Sequence, residues 1–186
     1  MKKATLFTLL FSFNASLTTA SEYSGNINLS LGNKEISSSD WEGDESLNSI
    51  GIIANIKATS WPVSIALDAF LSLSEDLSED NDEVSTSEYH LGVRKSWDIN
   101  ALSISPYLGG GLAIAFGSLD EDVNGKKETD TDRSIGTWVG VGANWNLIDN
   151  INIGADIRYA EADLRLHGKD FDATGITSAF SIGYIW

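Results

Sequence analysis

Seven ionisable side chains fall on the polar parity of otherwise alternating runs: Lys57, Asp68, Glu88, His90, Arg94, Asp156 and Arg158, with Ser, Gly, Ala and Asn as their same-parity neighbours. Leaving the imidazole aside, they make three cations and three anions. Collected into one interior, such a set can exist only as a mutually paired and hydrogen-bonded network, because a charge removed from water without a partner is strongly unfavourable. The same ions, if they exchange partners, would line a gated conduit. The pairs Asp68 with Arg94 and Asp156 with Arg158 are then the first to test.

Other residues suggest different chemistry. His90 lies two positions from Glu88 and four from Arg94, and His167 lies near Asp163 and Asp170. A histidine with a carboxylate supplies two thirds of a nucleophilic assembly, but neither has a serine at short local spacing. Asp120-Glu121-Asp122-Val123-Asn124-Gly125 repeats the opening of a calcium loop, with Asp120, Asp122 and Asn124 as alternating oxygen ligands. The twelfth position is Thr131 rather than Glu, so an Asn-Gly turn in an acidic loop competes with that reading. Loose divalent-cation binding along Glu75, Asp76, Glu79, Asp80, Asp82 and Glu83 is the weaker form of the same idea, and no other cofactor is expected.

Composition narrows the partners. Twenty-seven acidic against twelve basic residues, with no Lys/Arg cluster, repel a phosphate backbone and exclude nucleic acid. Zero cysteines exclude disulfides and thiolate metal sites. Residues 1–20 read as an export leader: Lys2 and Lys3, an apolar stretch over 4–13, and small residues before Ala20. Removing those twenty residues, which hold two lysines and no acid, takes 186 residues at −15 to 166 residues at −17. That length suits one domain, 21–186.

The elements that must position these groups are strands. Period-two alternation runs through 23–31, 49–57, 61–73, 88–97, 102–116, 135–145, 151–159 and 175–186, and no helical stripe competes with it. Short connections at 58–60, 98–101 and 147–150 alternate with long acidic ones at 33–46, 74–86, 118–133 and 167–173. This is the asymmetry of a membrane barrel, with tight turns on one side and long loops on the other. Trp61, Trp97 and Trp145 fall near the short turns and Phe116 and Tyr159 toward the long loops, as two interfacial girdles require. A mean hydropathy of −0.08 does not oppose this, because a barrel strand carries no long apolar run. The competing arrangement is a soluble lipocalin-like barrel with the apolar face turned inward.

The final run Phe180-Ser181-Ile182-Gly183-Tyr184-Ile185-Trp186 resembles the C-terminal assembly signal of bacterial outer-membrane proteins, carried by Phe180, Ile182, Tyr184 and Trp186. Ser105-Pro106-Tyr107-Leu108-Gly109-Gly110-Gly111-Leu112 and the run from Trp145 to Tyr159 resemble strand-turn-strand phrases of small OmpA- and OmpX-like barrels. The resemblance implies an all-β, eight-stranded, antiparallel, up-and-down transmembrane barrel in the bacterial outer membrane. It further implies contact with outer-membrane lipid and lipopolysaccharide and insertion by the barrel-assembly machinery, the barrel being a monomer by default. An eight-stranded lumen is filled by side chains, so the expected role is a structural or surface-interaction barrel with a polar plug and an extracellular ligand on its acidic loops. A narrow channel for small solutes is the first alternative and a lipid A-modifying enzyme the second.

Overall fold

The computed structural model describes residues 22–36, 46–73, 83–123, 126–161, 163–166, 169–172 and 174–186. Residues 1–20, and with them the expected leader, lie outside the described residues. Ten strands form: β1 (Tyr23–Ile36), β2 (Ser46–Ala58), β3 (Ser64–Leu73), β4 (Glu83–Ser96), β5 (Ile104–Val123), β6 (Lys126–Ile148), β7 (Ile151–Ala160), β8 (Asp163–Leu166), β9 (Lys169–Asp172) and β10 (Gly175–Ile185). Eight of them close a barrel in the order β1-β10-β7-β6-β5-β4-β3-β2, each antiparallel to both neighbours; β8 and β9 form a separate two-stranded hairpin.

Alternation decides which side chains meet the lumen. Leu29, Leu31, Leu91, Val141, Ile157 and Phe180 stand exposed on the outer wall, while Asn28, Ser30, Ser64, Asp68, Thr86, Asn152 and Thr177 are buried within. A water-soluble barrel would place these faces the other way round. An apolar surface of this extent is stable only against hydrocarbon, so the lipocalin-like arrangement is discarded. Strands of ten residues or more also meet the length that a tilted strand needs to cross the apolar layer.

The barrel closes where its two ends meet. Gly25 and Trp186 exchange backbone hydrogen bonds, Gly25 N to Trp186 O at 3.1 Å and Trp186 N to Gly25 O at 3.0 Å. The Trp186 indole lies over Gly25 so closely that any Cβ there would overlap the ring. Closure therefore uses the absence of a side chain at Gly25 and an aromatic lid from the other terminus.

Three elements depart from expectation. The connection expected over 118–133 is mostly strand: β5 and β6 stay in register out to Val123 opposite Lys126, which leaves Asn124-Gly125 to join them. Beyond the membrane both faces of a strand meet water, so alternation fades while pairing persists. The connection over 167–173 contains β9, paired with β8. Trp61, Trp97 and Leu102 lie in the short turns rather than in strands, and Ser103 adopts φ 54° there.

Candidate functional site

The register of β2 to β7 brings the charged residues to one level. Ile53 pairs with Asp68, Asp68 with His90, Ser64 with Arg94, Gly142 with Asp156 and Gly140 with Arg158. Asp68 is the hub: it accepts from Arg94 Nη2 and from Arg158 Nη1, both at 2.8 Å. Asp156 accepts from Arg158 Nε at 2.9 Å and from the Tyr107 hydroxyl at 2.5 Å. Glu88 pairs with Lys34 and also meets His90 Nε2 at 3.2 Å. His90 Nδ1 lies 3.0 Å from Arg158 Nη1. A guanidinium has only donors, so Nδ1 must accept, the imidazole proton sits on Nε2, and His90 donates to Glu88. With that tautomer a neutral histidine links two ion-pair groups, and Lys34, Arg94 and Arg158 balance Asp68, Glu88 and Asp156.

Inward aromatic rings wall the network. Arg158 lies 4.3 Å from the Phe70 ring centroid and 5.3 Å from that of Trp138; Arg94 lies 4.8 Å from Tyr107. His90 stacks on Trp138 with centroids 5.5 Å apart and planes 10° off parallel. Each ring faces a residue with no side chain across the ladder: Phe70 pairs with Gly51, Tyr107 with Gly142 and Trp138 with Gly111. On Gly142 a Cβ would fall 2.6 Å from the Tyr107 ring, and on Gly109 it would fall 2.9 Å from Trp138. Narrow lumens admit large rings only where the facing position gives up its side chain.

Six of the seven charged residues expected in the lumen are therefore in contact: Asp68, Glu88, His90, Arg94, Asp156 and Arg158. Lys57 stands apart. It lies nearer the short turns, half-buried, and the third cation of the network is Lys34, paired with Glu88. The expected loop over 33–46 places Lys34 outside the strands, although Asn28, Ser30, Gly32 and Lys34 continue one parity. Tyr107, Trp138 and Phe70 were legible as large residues on a polar face, but their meeting depends on register. Asp120 and Asp122 belong to β5, opposite Thr129 and Lys127, and Asn124 lies outside the described residues. The backbone there is a ladder, not a loop wrapped round an ion. Trp61, Trp97, Trp145, Phe116 and Tyr159 are all exposed, as are Phe180, Ile182, Tyr184 and Trp186. His167 lies outside the described residues.

Below the plug, toward the short turns, the lumen widens into a cavity of about 410 Å³. Arg94 forms its floor and donates through Nη1 to Asn55 Oδ1 at 2.6 Å; Asn55 in turn donates to Asn26 at 2.6 Å. Lys57, Asp98, Asn144 and Asn152 are among the other residues that line it.

Against this geometry, residues 5–184 match the family model described as the outer membrane protein beta-barrel domain. The chain belongs to this outer-membrane β-barrel family. It is thus a barrel of the bacterial outer membrane. No curated protein sequence matches it. Among solved structures it is similar to Neisserial surface protein A at 15% identity and a TM-score of 0.57, covering 88% of this chain and 95% of that one. Similarity extends to Ail, the attachment invasion locus protein of Yersinia pestis, at 14% identity and a TM-score of 0.58, over 89% and 99% of the two chains. OprG of Pseudomonas aeruginosa matches at 11% identity and 0.55, over 89% and 96%. A further structure of Ail holds the heparin analogue sucrose octasulfate. At these identities the likeness is one of fold.

Proposed function

We propose that the chain is an exported, plugged barrel that serves the envelope as a structural and surface-interaction element, presenting acidic connections to the medium. The leader over 1–20, assembly through the aromatic C-terminal strand and contact with lipopolysaccharide are parts of the same proposal. The observation that carries it is the network itself: six charged groups, each almost wholly buried, balance one another across the lumen. A passage for solutes would have to break several of these contacts at once. Both ring nitrogens of His90 are engaged within the plug, and the residue is 2% exposed, which supports a structural rather than a catalytic histidine.

Loop chemistry suggests the partner. The segments 37–45 and 74–82 together with the β5–β6 and β8–β9 hairpins all connect strands at one barrel end, and they hold most of the acids. Ail takes a polyanion, but a like ligand would be repelled here, so a basic surface is the partner that fits.

The test is single-channel conductance of the folded barrel in a planar bilayer. Silence is expected. Stable openings would replace this reading with the narrow channel, which the unpartnered Arg94 Nε and Arg158 Nη2 beside the ion pairs favour. A mass change in lipid A on overexpression would instead point to the enzyme.

A further inference from the structure

We propose that Lys95 is a lipid headgroup site: its ammonium binds the phosphate of a glycerophospholipid in the membrane leaflet at the short-turn end of the barrel. The site goes beyond the surface role above and does not depend on whether the lumen conducts.

Position is the first observation. Tyr89, Leu91 and Val93 stand exposed on the outward parity of β4, and Lys95 is the next member of that row. Around it on the same end of the outer wall Ile65, Leu108, Trp145, Ile151 and Tyr184 are exposed, and Leu108 is its partner across the ladder. Among the described residues Lys95 is the charged side chain on the outward parity of the strands at this end, whereas Glu35 and Arg133 hold that parity at the long-connection end. A charge on a face that meets lipid must carry its head to the polar layer.

The second observation is where that head goes. Lys95 Nζ donates to the Pro62 carbonyl at 2.8 Å, in the connection between β2 and β3. Trp61 adjoins Pro62 in the chain, and Trp97 lies two residues beyond Lys95 on the same parity; both are exposed. Indoles on the outer wall of a barrel settle at headgroup level, so the ammonium is held at the depth of the phosphates.

The third is the missing counter-ion. A carbonyl takes one of the three N–H donors and none of the charge. Among the described residues no carboxylate lies within ion-pair distance of Lys95. Asp98, three residues on, accepts from the Ser105 hydroxyl at 2.7 Å and lines the lumen cavity instead. Two donors and an unmatched positive charge therefore meet the interface. The anion that a phospholipid presents at this depth is its phosphodiester, which accepts from both. The acyl chains of the same molecule cover the adjoining wall of Leu91, Val93 and Leu108.

The experiment places the mature barrel, with lysine labelled at ¹⁵Nζ, in bilayers of dioleoylphosphatidylglycerol and reads the dephasing of ¹⁵N by ³¹P in solid-state NMR. A dephased lysine signal that disappears in Lys95→Gln is expected. Native mass spectrometry from maltoside micelles then measures retention of the same lipid, which Lys95→Gln should hold about three- to sixfold less tightly, the contribution of one interfacial lysine. Lys95→Arg should preserve it. Lys57→Gln, the same charge change on the lumen side, should leave it unaltered. A Lys95 signal without dephasing would show that the ammonium meets water, and would overturn the site. Equal retention of dioleoylglycerol would leave only the tails, and equal loss in Lys57→Gln only the net charge; either overturns it. Dephasing as strong with inorganic phosphate in maltoside micelles would assign a soluble anion in place of the lipid. Heat-dependent gel mobility of each variant confirms that it is folded, and Lys95, on the outer wall, is a position where replacement leaves the plug intact.

Discussion

Asp68 should be the residue whose loss costs the barrel most. Its carboxylate takes one charge-assisted contact from Arg94 and one from Arg158, each at 2.8 Å, and a weaker one from the Ala54 amide at 3.3 Å. Contacts of the first kind contribute about 1.5–3 kcal/mol apiece, so the sum reaches about 3–6 kcal/mol. Arg158 retains Asp156 after Asp68→Ala, which leaves Arg94 as the cation without an anion. The expected loss is therefore about 3–4 kcal/mol, in the range for one uncompensated buried charge. Equilibrium unfolding in denaturant, from phospholipid vesicles and read by tryptophan fluorescence, measures it. The decisive comparison is Asp68→Ala with Arg94→Met. Removing both partners should cost less than the two single changes added, by about 2 kcal/mol, because no orphaned charge remains. If Asp68→Ala loses under about 1 kcal/mol and the cycle shows no coupling, lumen water solvates these ions freely. The plug would then be no barrier, and the channel reading would gain.

Gly109→Ala should destabilise the barrel by about 1–3 kcal/mol, because its new methyl falls 2.9 Å from the Trp138 indole, and Trp138→Phe in the same chain should recover part of that loss in the same unfolding assay. Deleting Trp186 removes two backbone hydrogen bonds and the ring over Gly25. The heat-sensitive folded band on a gel of the outer-membrane fraction should then weaken sharply, whereas Trp186→Ala, which keeps the backbone pair, should fall between. Tyr107→Phe removes the hydroxyl that donates to Asp156 and should cost about 1–2 kcal/mol in the same denaturant titration while leaving the ring's contact with Arg94 in place.

The strands and their faces were legible because the membrane imposes a strict period of two, and it does so only across its own thickness. Ile27, Leu29 and Leu31 alternate with Asn26, Asn28 and Ser30 because one set meets lipid and the other a crowded lumen. Past the interface the outer face meets water as well, and Lys126 to Arg133 carries polar residues on both parities. Pattern therefore ended there although β6 continued. The same boundary hides Lys34, which keeps the inward parity of β1 beyond the last apolar residue of the alternation, Leu31. What no single strand can state is height. Asp68 meets Arg158 across ninety positions of sequence because register and tilt set them level, and both are properties of the closed ladder. The glycines carry a trace of that register. Gly51, Gly111 and Gly142 stand opposite Phe70, Trp138 and Tyr107, so pairing each inward ring with a facing glycine narrows the register, although a slip of two residues between β5 and β6 would set Tyr107 against Gly140 and Trp138 against Gly109 equally well.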